Sequence, residues 1–207
     1  LDTNILVLVG NNLEAEFYQN SILEKRPDLH LLFGFQNSAG HREGAKSIAA
    51  RLPVTKLFVG GLHNAASETD LVAIQKAFNP KDVKITPVDN MYAYYLCHVA
   101  EVMPYGYMCY KVDGNLKKLQ RRDIKTIMQA TKECFAYLKS TGIEVMPKGE
   151  DKFYNGGIKT YAMFLLYRIM SKTILGQLMV ADHCKNGIKE MIYIHKKFEE
   201  WRLQHKS

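Results

Sequence analysis

The 207 residues, 47% of them hydrophobic, suffice for one large domain or two small domains with real cores, which excludes a disordered chain. Four widely separated cysteines without a C-x-x-C pair, and seven histidines without an H-x-x-x-H or H-E-x-x-H spacing, predict no disulfide framework, no metal site and a reduced, cytoplasmic environment. The net charge of +7 is uneven, because residues 1–110 hold 9 Lys and Arg against 11 Asp and Glu, whereas residues 111–207 hold 19 against 10.

Residues 1–88 alternate between apolar runs and helical patterns. We predict strands over residues 4–9, 30–35, 56–60 and 83–87, and helices over residues 13–25, 43–51 and 67–78. Strands that alternate with helices are typical of an α/β layer fold built on a parallel sheet. The chain opens directly on the apolar run Ile5–Val9, with no initiator Met and no charged leader, so we expect a fragment of a longer cytosolic protein.

Small and polar residues follow two of the predicted strands. Residues 37–40, Asn-Ser-Ala-Gly, come after one strand, and Gly60-Gly61 closes the next. Open α/β sheets bind their ligands at the carboxyl ends of the strands, so these residues mark a candidate cleft edge. The alternative is that they only permit turns.

After Pro87 the pattern predicts helices alone, over residues 89–111, 122–141, 159–183 and 187–205. The third of these contains the longest apolar stretch, in which Arg168 and Lys172 lie one turn apart, so we predict an amphipathic helix and no membrane span. We therefore predict an α/β domain over residues 1–88 and an all-helical domain over residues 89–207.

Basic residues are densest just before and at the start of the second of these helices, at Lys117, Lys118, Arg121 and Arg122. The cluster lacks the interleaved aromatic side chains of a nucleic-acid platform, so we predict a solvated helix start and no nucleic-acid partner. Anion or nucleic-acid binding through the basic half is kept as an alternative, for which affinity would fall steeply with added salt.

The helix predicted after Pro87 is chemically unusual. Six of the twelve tyrosines lie in residues 92–110, around His98, Glu101 and Pro104. A proline inside a helix removes a backbone hydrogen bond and kinks the chain. Tyr95 and His98 share one helix face and could donate protons to a substrate oxygen. The alternative is a packed helix whose His98 is hydrogen-bonded inside the core.

Two carboxylates flank the break between the last two predicted helices. Asp182 closes the third helix, and Glu190 lies in the first turn of the fourth. A carboxylate in a first turn is stabilised as the anion by the helix dipole, so we expect Glu190 to be ionised at neutral pH. On spacing alone, Glu190 is explained by a helix-start preference.

Three stretches together resemble the ketopantoate reductase (2-dehydropantoate 2-reductase) family. Residues 31–40 are similar to a family strand ending in Gln-Asn-Gly-x-Gly, residues 96–116 to a kinked helix whose Pro is followed ten residues later by Gly-x-Leu, and residues 182–194 to an Asp followed by Glu-Ile-x-x-Ile. The resemblance implies an α/β remnant of a Rossmann-type domain followed by an all-α domain like the carboxyl-terminal domain of 6-phosphogluconate dehydrogenase.

The resemblance also implies that the parent protein reduces a small 2-keto acid with NADP at an interdomain cleft, as in pantothenate biosynthesis. Asn37 would hold the cofactor edge or the substrate, Glu190 would bind the substrate hydroxyl, and Asp182 would lie in the same substrate site. The family's phosphate-binding G-x-G-x-x-G loop belongs to a segment absent here, so we expect no tight NADP binding by these residues. We also expect a homodimer, because loss of that segment bares apolar sheet faces.

The chain departs from the family pattern at the residues that act on the ketone. The positions of the family's Lys, its two Asn and its Ser are occupied here by Tyr95, Val99, Met103 and Leu178. A neutral tyrosine supplies only one weak donor, so we predict that Tyr95 and His98 act together as the acid pair. The alternative is a reductase-fold binding or assembly module that has lost the chemistry and packs through Met91, Met103 and Met108.

Overall fold

A computed structural model describes residues 3–50 and 54–205. The fold is α/β, with a small mixed sheet and a helical carboxyl-terminal part, and 55% of the described residues are helical. The chain divides into two compact units, one of Leu1–Asn37 and Arg51–Tyr95 and the other of Ser38–Ala50 and Leu96–Ser207. The division falls inside the helix that follows residue 88, and it assigns residues 38–50 to the helical unit.

The elements of the first unit are strands β1 (Ile5–Val9), β2 (His30–Gln36), β5 (Thr55–Gly60) and β6 (Val83–Pro87), with helices α1 (Ala15–Leu23) and α2 (Glu68–Lys76). The strands form one sheet in the order β1-β2-β5-β6. The buried side chains of Leu32, Leu57, Val59 and Ile74 form the core between this sheet and α2. Helix α2 begins where the side chain of Ser67 accepts a hydrogen bond from the Asp70 amide.

The sheet is mixed. The prediction of a parallel sheet is wrong for the central pair of strands, β2 and β5. β1 pairs with β2 and β5 pairs with β6 in parallel, but β2 pairs with β5 antiparallel, with Phe33 opposite Gly60. A parallel connection needs a crossover segment, usually a helix. Residues 43–50 of the crossover helix predicted over residues 43–51 do not form a helix, residue 51 lies outside the described residues, and the chain returns antiparallel.

A β-hairpin replaces that predicted helix. β3 (Ala39–Glu43) and β4 (Lys46–Ala50) pair antiparallel, with Glu43 opposite Lys46. The two-residue turn contains Gly44 at φ +58°, the left-handed conformation that such turns require. Residues 42–50 are rich in good helix formers, but pairing along the whole hairpin overrides that weak local preference.

The helical unit contains most of helix α3 (Met91–Lys111), together with α4 (Arg121–Ser140), α5 (Gly157–Met170), α6 (Ile174–Gly176), α7 (Asp182–Asn186) and α8 (Ile188–Gln204). The predicted cap of α3 is confirmed, because the Asn90 side chain accepts a hydrogen bond from the Ala93 amide at 2.9 Å. Pro104 lies inside α3. The core brings α3, α4 and α7 together through buried side chains that include Cys109, Ile127 and Cys184.

The long helix predicted over residues 159–183 is broken. It ends at Met170, and the next helical segment, Ile174–Asn186, leaves at 87°. The hydroxyls of Ser171 and Thr173 donate to the carbonyls of Arg168 and Met170 and so terminate α5. Among the described residues no single helix is long and apolar enough to cross a membrane. The two segments Gly157–Met170 and Ile174–Asn186 meet the length and composition requirement only when they are taken together.

Candidate functional site

Asn37 is placed just beyond the end of β2. Its side-chain oxygen accepts a hydrogen bond from the main-chain amide of Lys56 at 2.6 Å. The main-chain amide of Asn37 donates to the Lys56 carbonyl at 3.2 Å. Asn37 therefore extends the pairing between β2 and β5 by one step. Its side-chain oxygen has a structural partner within the sheet.

Tyr95 is held in the core of the first unit. Only 2% of the residue is exposed, and its hydroxyl donates to the Gly34 carbonyl on β2 at 3.1 Å. Burial raises the pKa of Tyr95 well above its usual range, so the phenol stays protonated. Gly34, the partner of Tyr95, precedes Asn37 by three residues, which is about 10 Å along an extended chain. Tyr95 and Asn37 therefore occupy separate positions in this unit.

We expect Tyr95→Phe to lower the free energy of unfolding by about 1 kcal/mol, the usual net value of one buried hydrogen bond. The loss is moderate because the Gly34 carbonyl keeps a second donor, the Gly10 amide at 3.1 Å. Urea denaturation of both proteins measures the difference, with the half-exposed Tyr18→Phe as the matched control. Equal stability of the Tyr95 variant and the wild type would show that this hydrogen bond contributes nothing.

Glu190 lies beside His183 in the helical unit, and the charge of His183 also acts on His98. His183 Nε2 lies 3.9 Å from Glu190 Oε2, across the short break between α7 and α8. Burial, together with the charge of His183, lowers the pKa of His98 to about 4. At neutral pH His98 is therefore a neutral imidazole that can donate or accept a hydrogen bond, and its imidazolium form is scarce.

Asp182 lies on the other side of α7, beside the hairpin. Its carboxylate is 3.8 Å from His41 Nδ1, and it accepts a hydrogen bond from the Gln177 side chain at 3.4 Å. His41 also lies 3.0 Å from Glu43 on the same strand. The hairpin therefore adds a second histidine and a further carboxylate to the region around α7.

A buried network on α3 was not predicted. The Tyr154 hydroxyl donates to Glu101 Oε1 at 3.3 Å and lies 2.8 Å from the Tyr167 hydroxyl. Burial, together with the charge of the neighbouring Glu150, raises the pKa of Glu101 to about 8. The Glu101 carboxyl is thus largely protonated at neutral pH and able to donate a hydrogen bond, as buried catalytic acids do.

Comparisons of this chain with protein-family models, with curated proteins and with solved structures find no match. The family resemblance described above therefore stays a prediction that depends on three short motifs.

Two groups of residues escaped the sequence reasoning for different reasons. His183 directly follows Asp182, so its place beside Glu190 follows from the short loop between α7 and α8 and could have been predicted. The partners of Glu101 come from distant segments, and no spacing rule joins them. Among the described residues, no group of three or more His, Cys, Asp or Glu side chains is arranged to hold a metal ion.

Proposed function

We propose that this chain supplies the keto-acid-binding part of an NADP-dependent reductase similar to ketopantoate reductase. In this proposal the first unit corresponds to part of a Rossmann-type domain, and the second corresponds to the helical domain like that of 6-phosphogluconate dehydrogenase. The observation that supports it is that His183 lies 3.9 Å from Glu190 and is near enough to His98 to lower its pKa, since His98 and Glu190 belong to separate motifs.

The chemistry proposed for these residues is binding and orientation of the substrate. The Glu190 carboxylate would accept a hydrogen bond from the substrate hydroxyl, and the neutral His98 imidazole would donate its N–H to the carbonyl oxygen. A scarce imidazolium makes His98 a poor acid at neutral pH, and Tyr95 already donates to Gly34. We therefore propose His98 as an orienting donor and no longer as half of an acid pair with Tyr95.

The Gly60-Gly61 pair does not fit the phosphates of NADP. A Cβ placed on Gly60 would lie far inside van der Waals contact of the Val88 carbonyl, and one on Gly61 would lie 2.5 Å from the Asn64 side chain. The protein itself occupies the space that a phosphate cradle leaves open. Our proposal accordingly assigns this chain no residue that holds the cofactor phosphates.

Glu190→Gln is the decisive variant for this proposal. In the complete gene product, we expect it to lower kcat/KM for the best 2-keto acid by about 10- to 100-fold, because a charge-assisted hydrogen bond to the substrate is weakened. NADPH oxidation followed by absorbance, with a panel of 2-keto acids, measures the effect. The exposed Glu133→Gln removes one carboxylate elsewhere and serves as the control.

A binding or assembly module with no reductase activity is the second candidate. One face of α5 favours it, because Ile158 is 89% exposed, Tyr161 63% and Ile169 60%. Exposed apolar stripes of this kind mark contact surfaces. We propose that this face of α5 binds a second copy of the chain, so that the protein forms a homodimer. The same assay separates the two candidates, since an assembly module oxidises no NADPH with any 2-keto acid of the panel.

A further inference from the structure

A cavity of about 770 Å³ lies between α4 and α5, within the helical unit and apart from the residues around α7. Its volume is in the range of small-molecule sites, which typically measure about 300–1,000 Å³. No residue of the proposed keto-acid site lines it. The cavity is therefore a candidate binding site separate from the keto-acid site.

Three cationic side chains form one wall of the cavity. Arg121, Lys125 and Lys132 lie on α4 at spacings of four and seven residues, which places them within about 40° of one another around the helix. Among residues 3–50 and 54–205 no carboxylate forms an ion pair with any of the three. Three cations without a counter-charge at one cavity attract an anion.

The start of α5 forms the facing wall. Gly156 at φ +98° and Gly157 at φ +77° turn the chain into this helix of 14 residues. The Gly156 amide donates to the Thr160 hydroxyl at 2.7 Å, whereas the amides of the first helical turn have no acceptor within the helix. Such amides and the positive end of the helix dipole favour negative charge, so they reinforce the three cations opposite.

The remainder of the lining is apolar and aromatic. Met128 projects from α4, and Tyr161 and Phe164 come from α5, next to the glycine turn. Tyr154 lies at the inner wall with its hydroxyl on Glu101, whose raised pKa of about 8 keeps that carboxyl largely uncharged at neutral pH. Beside the cations the cavity therefore offers an apolar and aromatic surface without a strong negative charge.

We propose that this cavity binds a phosphomonoester that carries a flat apolar group. The phosphate lies between Arg121, Lys125 and the first turn of α5, and the apolar group packs on Tyr161 and Phe164. Arg121 and Lys125 match the two negative charges of a phosphomonoester better than the single charge of a carboxylate, and Lys132 adds a third positive charge to the same wall. Arginine and helix amides also match the several acceptor oxygens of phosphate. The proposal is independent of the reductase activity.

Isothermal titration of the whole chain at low salt tests the proposal, with phenyl phosphate, inorganic phosphate and benzoate as probes. We expect phenyl phosphate to bind at least about 10-fold more tightly than either of the other two, because only it has both the dianion and the ring. Arg121→Gln/Lys125→Gln is expected to weaken phenyl phosphate binding at least about 10-fold. Tyr161→Ala, at a side chain that is 63% exposed, removes part of the ring contact and should weaken phenyl phosphate but not inorganic phosphate.

Lys118→Gln/Arg122→Gln is the matched control, since it removes the same two charges from exposed neighbours that do not line the cavity. Binding within about twofold of wild type in this control supports a localised site. Equal losses in the two double variants would overturn the proposal in favour of diffuse attraction to the basic half. Absence of phenyl phosphate binding by the wild type, or affinity no greater than for inorganic phosphate, would also overturn it.

Discussion

Glu101→Gln is expected to stabilise the protein at about pH 8 and to flatten the pH dependence of its stability. In the folded state the pKa of Glu101 is about 8, raised from 4.5 mainly by burial and further by Glu150. Between these two values the folded state holds a proton that the unfolded chain has lost. The free energy of unfolding therefore falls as the pH rises from about 4.5 to about 8. Glutamine keeps the shape and the hydrogen-bonding capacity but does not ionise, so the penalty disappears.

The size of the effect is on the order of 3 kcal/mol at about pH 8, since each unit of pKa difference corresponds to about 1.4 kcal/mol and Glu150 shares part of the cost. His98 acts in the opposite direction at lower pH. Its folded-state pKa of about 4, below the ordinary 6.5, makes stability rise across that window. The Glu101 effect is consequently best measured near pH 8, where His98 is neutral in both states.

Urea denaturation at several pH values, followed by circular dichroism, gives the two stability profiles. We expect the difference between Glu101→Gln and the wild type to grow with pH up to about 8 and then to level off. Glu144→Gln, at an exposed carboxyl of the same unit, is the control and should run parallel to the wild type. Parallel profiles for Glu101→Gln and the wild type would show that Glu101 is ionised in the folded protein.

The periodicity of apolar residues predicts most helices and strands of the fold. It does not predict elements that depend on strand pairing or on side-chain hydrogen bonds to the main chain. The predicted strands over 30–35, 56–60 and 83–87 overlap β2, β5 and β6, because each is a short apolar run bounded by turn residues. The hairpin over residues 39–50 is not predicted, because residues 42–50 have a helix-forming composition and Gly44-Ala45 is not a strong turn signal. The break after Met170 was missed because apolar residues continue across it while the Ser171 and Thr173 hydroxyls end the helix.

The candidate sites were predictable only where the relevant residues are close in sequence. Glu190 and His183 are seven positions apart, and the stripe of Arg121, Lys125 and Lys132 follows from helix spacing alone. The unusual pKa of Glu101 arises from burial beside Glu150 and Tyr154, and burial is set by packing between distant segments. Sequence spacing carries no information on such packing.

Gly60→Ala is expected to lower the free energy of unfolding by about 3 kcal/mol or more. Gly60 is buried at the end of β5, opposite Phe33, and an added Cβ would lie far inside van der Waals contact of the Val88 carbonyl. That carbonyl belongs to backbone that cannot easily move. The Val88 amide donates to the Val59 carbonyl at 2.9 Å, and the Met91 amide donates to the Gly61 carbonyl at 3.2 Å.

The same substitution decides between two interpretations of the Gly60-Gly61 pair, a cleft edge for a ligand or a structural requirement. Close backbone approach predicts a large loss of stability in the absence of any ligand, measured by urea denaturation. Gly106→Ala is the control, since its Cβ would meet the flexible end of Met191 at 2.6 Å and Cys184 Sγ at an ordinary 3.8 Å, and alanine favours the helix. If Gly60→Ala lowers the free energy of unfolding by less than about 1 kcal/mol, the main chain at Val88 can move away from β5 to make room for the added methyl group. The glycine would then be open to a role in ligand binding.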